Sequence, residues 1–200
     1  LTFAKAKFAK QHHAILPDIR DEAIINWKQS VNLVLQLSLK KQLKNFIPFS
    51  LELGNHNRMI ILSGANAGGK SVVLKTLALN QYMIQCGLPV TIHADSKVGI
   101  FSKICIDIGD GQSFEANLST YTSHLEKMSK FIQLADKKTL YLIDEIGTGT
   151  DPVLGGAMAQ SILINLHSKG SCGIVTTHID TLKEMADTTP EIQNAAMLFD

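Results

Sequence analysis

The stretch Gly64-Ala65-Asn66-Ala67-Gly68-Gly69-Lys70-Ser71 constrains this chain more than any other. It spells G-x-x-x-x-G-K-[ST], a loop built to cradle phosphate. The apolar run Met59-Ile60-Ile61-Leu62 before it predicts a buried strand, and Val72-Val73-Leu74-Lys75-Thr76-Leu77-Ala78-Leu79 after it predicts a helix. Glycines let backbone N–H groups turn inward onto a phosphate chain, and the helix N-terminus adds partial positive charge. Lys70 can reach β- and γ-phosphates, and the Ser71 hydroxyl can ligate Mg²⁺. The candidate nucleotide-binding residues run from Gly64 through Val72.

A chain of 200 residues is long enough for one domain with a sizeable core. No apolar run is long enough to cross a membrane, and no signal peptide is visible. Cys86, Cys105 and Cys172 are far apart and odd in number. They form neither a disulfide framework nor a metal spacing, which implies a reducing cytoplasm and core positions for all three. Residues 1–50 carry eight Lys/Arg against three Asp/Glu, whereas residues 51–200 carry eleven against fifteen. The basic end fits either a nucleic-acid contact or a solvated helix face. No aromatic residues interleave its charges in a stacking pattern, which favours the solvated face. The chain starts at Leu1 and stops at Asp200 straight after an apolar run, so it is expected to be a piece of a larger protein.

Apolar spacing predicts an amphipathic helix over residues 2–15, ended by Pro17-Asp18. Residues 18–50 are mixed, and a short extended piece leads to Ser50-Leu51-Glu52-Leu53. Asn55-His56-Asn57 predicts a hairpin turn into a strand over 58–63. Gly87 and Pro89 stop the helix after the phosphate loop. Strands are expected at 90–93, 103–108, 139–143, 171–176 and 193–199. Helices are expected at 119–135, with Ser119 or Thr120 as N-cap, and at 154–168 and 180–186. Strands alternating with helices argue for an α/β fold with helices packed on a mainly parallel sheet.

The apolar run Thr139-Leu140-Tyr141-Leu142-Ile143 ends in Asp144-Glu145. A buried strand delivers acids to its C-terminal end, beside the phosphate loop. Asp144 is then the candidate to hold Mg²⁺, and Glu145 the candidate to polarise an attacking water. A second buried run ends in Thr176-Thr177-His178, which puts His178 within reach of a γ-phosphate. His12, His13, His93 and His124 have no such support and read as surface or core residues.

Together these residues resemble the ABC-type ATPase domain of the MutS family of DNA mismatch repair proteins. Gly64 to Ser71 is similar to the family's G-P-N-x-G-G-K-[ST] loop, and Leu118-Ser119-Thr120-Tyr121 to its S-T-F segment. Asp144-Glu145-Ile146-Gly147-Thr148-Gly149-Thr150 resembles the D-E-[IL]-G-x-G-T block, and Thr176-Thr177-His178 the switch-histidine motif. Asp107-Ile108-Gly109-Asp110-Gly111-Gln112-Ser113, the run from Ser119 to His124, Thr150-Asp151-Pro152 and Leu182-Lys183 are similar to the second bacterial MutS type. That branch is often fused to an Smr nuclease module. Phe3-Ala4-Lys5-Ala6-Lys7 resembles the end of its long core helix. The sequence departs from the pattern at Ala65, Gly111 and Ile179, none of which removes a reacting group.

The resemblance implies a P-loop NTPase of ABC-ATPase-like fold. Residues 1–45 would be the end of a core or lever helix and its connector, and residues 46–200 a C-terminally truncated ATPase domain. It implies ATP and Mg²⁺ as cofactors. Phe46-Ile47 would stack on adenine, Gln112 would link Mg²⁺ or water to the rest of the machine, Ser119 would contact the γ-phosphate held by the other subunit, and Asp151 would lie near the dimer seam. Two chains would form composite sites, and segments outside this chain would grip mismatched or branched DNA. The alternative is a nucleotide-gated binding module with little turnover, acting on structured RNA or ribosomes. A transporter ATPase would need L-S-G-G-Q, which Leu118-Ser119-Thr120-Tyr121 does not supply, and Asp144-Glu145 with His178 argues against a kinase. No membrane partner is implied, and no nuclease motif occurs in residues 1–200.

Overall fold

The computed structural model describes residues 1–43, 46–64, 69–109 and 117–197, and their side chains except at 117–120. The elements are α1 (Thr2–His12), β1 (Asp18–Arg20), β2 (Ile25–Ser30), α2 (Leu33–Lys41), β3 (Phe49–Leu53), β4 (Met59–Ser63), α3 (Lys70–Gln85), β5 (Lys97–Gly99), β6 (Lys103–Asp107), α4 (Asn117–Leu134), β7 (Thr139–Ile143), α5 (Pro152–Ser168), β8 (Cys172–Thr176), α6 (Asp180–Thr188) and β9 (Ile192–Ala196). They fall into two compact units. One holds Leu1–Glu52 and Lys75–Ile100, the other Leu53–Leu74 and Phe101–Asp200.

The second unit is built on a five-stranded sheet in the order β6-β7-β8-β4-β9. Every neighbouring pair is parallel. The residues of β4, β7 and β8 are buried along their whole length. Strands covered on both faces have no polar side to show to water, which is why their sequences read as continuous apolar runs. On one face Met59, Ile61, Tyr141, Ile143 and Val175 pack with Met128 of α4, Leu163 and Leu166 of α5, and Leu182 and Met185 of α6. At the N-terminal ends of the strands, Arg58 donates from Nε to the Gly170 carbonyl at 2.9 Å and from Nη2 to that of Lys137 at 3.3 Å. One guanidinium thus ties together the starts of β4, β7 and β8.

The first unit carries a smaller sheet in the order β1-β5-β2-β3. Here β5 runs parallel to β1 and antiparallel to β2. Ile25, Trp27, Val90 and Val98 fill its interior. Buried amides donate within the unit: Asn80 to the Ser30 hydroxyl and the Val31 carbonyl, each at 3.2 Å, and Gln81 from Nε2 to the Gly99 carbonyl at 2.9 Å, while Gln81 Oε1 has no partner among the described residues. Asn32 caps α2, its Oδ1 accepting the Leu35 N–H at 3.0 Å.

Several expectations need correction. Helix α1 ends at His12 rather than at 15, because His13 turns into the left-handed region with φ 52°. Of the strand expected at 90–93, only an isolated bridge between Val90 and Ile15 forms. Pro89 can donate no ladder bond, and a turn closed by the Ser96 N–H on the His93 carbonyl follows. Helix α4 starts at Asn117, so Ser119 and Thr120 lie within its first turn instead of capping it. Helix α5 starts at Pro152, two residues before the expected 154. Cys105 and Cys172 are buried, but Cys86 is exposed at the end of α3. Among the described residues no helix is long and apolar enough to cross a membrane.

Gly173 lies against the ring of Tyr141, where a Cβ atom would stand 2.2 Å from ring carbons. Gly173→Ala is therefore expected to lower unfolding free energy by about 1–3 kcal/mol through overpacking. Urea unfolding followed by circular dichroism measures this, and an unchanged midpoint would contradict the packing described.

Candidate nucleotide site

The parallel register sets the C-terminal ends of β4, β8 and β7 side by side, at the edge where open α/β sheets hold ligands. After β4 the chain enters the phosphate loop at Gly64, φ 129°, and leaves it at Gly69, φ 78°. Both angles lie where a Cβ is strained, so glycine is required at each end of the loop. Lys70 and Ser71 then open α3. Lys70 is 2% exposed, and its Nζ donates to the Gly64 carbonyl at 2.5 Å. The ammonium is thereby folded back onto the backbone at Gly64. Ser71 and Val72 are half-buried in the first turn. Ala65, Asn66, Ala67 and Gly68 lie outside the described residues.

The acid pair sits at the end of β7. Asp144 is 9% exposed, and its Oδ1 accepts the Thr176 hydroxyl at 2.6 Å. The same hydroxyl oxygen accepts the Glu145 N–H at 2.7 Å. One side chain at the end of β8 thus orients both acids. Glu145 adopts φ 52°, left-handed for a residue with a Cβ. Such a conformation costs on the order of 1–3 kcal/mol and persists only where neighbours hold it. Here the Thr148 hydroxyl donates to the Glu145 carbonyl at 2.8 Å, opposite the Thr176 bond. His178, just past β8, brings Nε2 to 4.0 Å from Glu145 Oε1, with both side chains partly open to solvent.

Sequence reasoning missed the acid at the end of β6. Asp107 is buried; His124 Nδ1 bonds its Oδ2, and Lys127 donates to its Oδ1 at 2.7 Å. Burial alone would raise the Asp107 carboxyl, but the bonds from His124 and Lys127 outweigh it and hold the group below the ordinary carboxylate value. The available signal was the strand-end position of Asp107 together with two basic residues at helical i, i+3 spacing. His124, read from sequence as a surface or core residue, is one of these partners.

Asp151 caps α5, its Oδ1 accepting the Val153 and Leu154 N–H groups at 3.1 and 3.0 Å. Ser119 lies in α4, with its side chain outside the described set, and Gln112 lies outside the described residues. Phe46 and Ile47 belong to the first unit. Phe46 lines a cavity there of about 590 Å³ with His12, His13, His93 and Lys40, and Ile47 is 84% exposed.

The residues at the C-terminal edge fit a divalent cation. Among the described residues Asp144 is a buried carboxylate with a hydroxyl partner and no cation paired to it. Among the same residues no group of three or more His, Cys, Asp and Glu could form an all-protein metal cage. Thr176→Val would leave the Glu145 N–H and the Asp144 carboxylate without their shared partner. A loss of about 1–3 kcal/mol in unfolding free energy is expected, measurable by denaturant titration. A variant as stable as the parent would mean that the hydroxyl does not hold the pair.

Residues 60–200 match the family MutS domain V. The chain is 36% identical over 198 residues to an endonuclease MutS2 of Halothermothrix orenii, and 38% identical over the same length to one of Clostridium kluyveri. An endonuclease MutS2 of Clostridium botulinum is 37% identical. Each comparison covers 99% of this chain and 24% of the relative, so the chain spans about a quarter of the length of these proteins. With a five-stranded parallel sheet, a phosphate loop after β4 and an acid pair after β7, the chain belongs to the MutS family, as an ATPase-type domain V of the MutS2 branch.

Proposed function

We propose that this chain binds ATP with Mg²⁺ and hydrolyses it, and that its nucleotide state sets how segments outside it grip mismatched or branched DNA. One observation carries the reading. Because β8 lies between β4 and β7, Lys70, the Asp144–Glu145 pair and His178 converge on the same edge of one sheet. Residues 46–200 act as the ATPase domain, and residues 1–45 as the end of a lever helix with its connector.

The chemistry is positioning and charge neutralisation. The backbone N–H groups from Gly64 to Val72 receive the phosphates, and Lys70 offers its ammonium to the β- and γ-oxygens. Ser71 and Asp144 supply the oxygens that hold Mg²⁺. When bound, Mg²⁺ neutralises charge on the β- and γ-phosphate oxygens. Glu145 orients the attacking water and takes its proton, and His178 senses whether the γ-phosphate is still attached. Phe46 and Ile47 take the adenine, and Gln112 links the metal's surroundings to the rest of the machine. Two copies of the chain complete each other's sites through Ser119, with Asp151 near the seam while it caps α5. The word endonuclease in the relatives' names attaches to no residue of this chain. Any cleavage is assigned to segments outside it. The protein is expected in the cytoplasm.

Lys70→Ala should abolish ATP binding in a calorimetric titration. Glu145→Gln should keep binding and lower turnover about a hundredfold or more, trapping the ATP state. Wild-type hydrolysis by Glu145→Gln would remove Glu145 from its role. For the composite site, Ser119→Arg and Lys70→Ala should each be inactive alone. Mixed, they should regain activity, because a heterodimer contains one intact site. No recovery in a heterodimer demonstrated by mass would rule out action across the interface.

A further inference from the structure

Asp107 is the point at which α4 meets the acid pair. Its side chain is 3% exposed, and both carboxylate oxygens are taken by α4, one by His124 and the other by Lys127. These two residues are three apart and so share one face of the helix. On its other side Asp107 is joined to the acids. Its carbonyl accepts the Asp144 N–H at 2.8 Å, and Asp107 stands opposite Ile143 in the register of β6 and β7. His124 and Glu145 also line the same small cavity, of about 30 Å³.

A buried carboxylate must be paired, and breaking such a pair is far more costly than losing a surface bridge. Among the described residues the pairing comes from one helix. A shift of α4 that lengthens the His124 and Lys127 bonds moves Asp107, and one backbone hydrogen bond passes that movement to Asp144. We propose that Asp107, His124 and Lys127 form a positioning junction through which the seating of α4 sets the Asp144–Glu145 pair for catalysis. The three touch neither nucleotide nor metal on this reading. The inference rests on the ATPase activity proposed above.

The test measures kcat and KM for ATP on the purified full-length protein and three variants at His124. His124→Ala should lower kcat about tenfold to a hundredfold, as expected for acids misplaced by a fraction of an ångström to one ångström, while KM changes less than threefold. His124→Asn, whose amide can donate from near the Nδ1 position, should recover most of kcat. His124→Gln, whose amide lies near the Nε2 position, should not. Thermal unfolding of each variant accompanies the kinetics. Wild-type kcat in His124→Ala overturns the inference, and so does a loss shared equally by all three variants in step with their unfolding temperatures. Absence of ATP turnover in the wild-type protein instead overturns the ATPase reading, and this inference with it.

Discussion

Everything at the nucleotide edge depends on β8 lying between β4 and β7 in parallel register. Strands in a sheet stand about 4.8 Å apart, so one intervening strand separates the ends of β4 and β7 by about 10 Å. That gap is wide enough for a phosphate group and its cation. The intervening strand is also apolar until its last residue. Thr176 is fully buried, and its hydroxyl both donates and accepts. A valine there would complete the core equally well and leave the acids unheld.

The left-handed Glu145 follows from the same arrangement. Asp144 continues the line of β7, its N–H bonded to the Asp107 carbonyl, as a strand residue would be. At Glu145 the chain must turn out of the sheet, and the φ of 52° accomplishes this in one residue. The Ile146 N–H then returns to the Thr176 carbonyl at 3.0 Å. The acid is thereby delivered to the mouth of the site on a backbone pinned on both sides. The pinned backbone fixes the point from which the Glu145 side chain leaves the sheet, as the proposed role in orienting water needs.

The second unit was largely legible in the sequence because its strands are buried on both faces and each ends in a polar motif. The runs at Met59, Thr139 and Cys172 have no alternative as surface elements, and a parallel sheet forces their ends to one side. The first unit was much less legible. Strand β2 alternates only partly, with Ile25, Trp27 and Ser30 buried but Lys28 and Gln29 exposed, and Gln29 breaks the pleat at φ 48°. Strands of three residues, such as β1 and β5, carry too little periodicity to show in a single sequence. Helix α2 left a clearer mark in the Asn32 cap, but its apolar positions Val34 and Leu37 are exposed, so its pattern did not point to a core. At the site, the phosphate loop, Asp144, Glu145 and His178 could be named from local motifs. Thr176 as the hinge of the pair, and Asp107 as a partner of α4, required knowing which strands are neighbours.

Asp107 and Asp144 show why that knowledge decides function. Each is an aspartate at the C-terminal end of a parallel strand, each is buried, and they share a backbone hydrogen bond. Position at a strand end and burial do not distinguish them. Their partners do. Asp107 receives two basic side chains from α4, and its charge is balanced within the chain. Asp144 receives a hydroxyl, and among the described residues no cation approaches it. A carboxylate kept out of water without a counter-charge is unfavourable unless something supplies one. Among the described residues His124 and Lys127 pair with Asp107, whereas Asp144 has the Thr176 hydroxyl, an arrangement that fits the Mg²⁺ site proposed above. The same edge therefore contains one acid paired within the chain and one whose only described side-chain partner is a hydroxyl, and on the proposed reading the helix that pairs with the first helps to position the second.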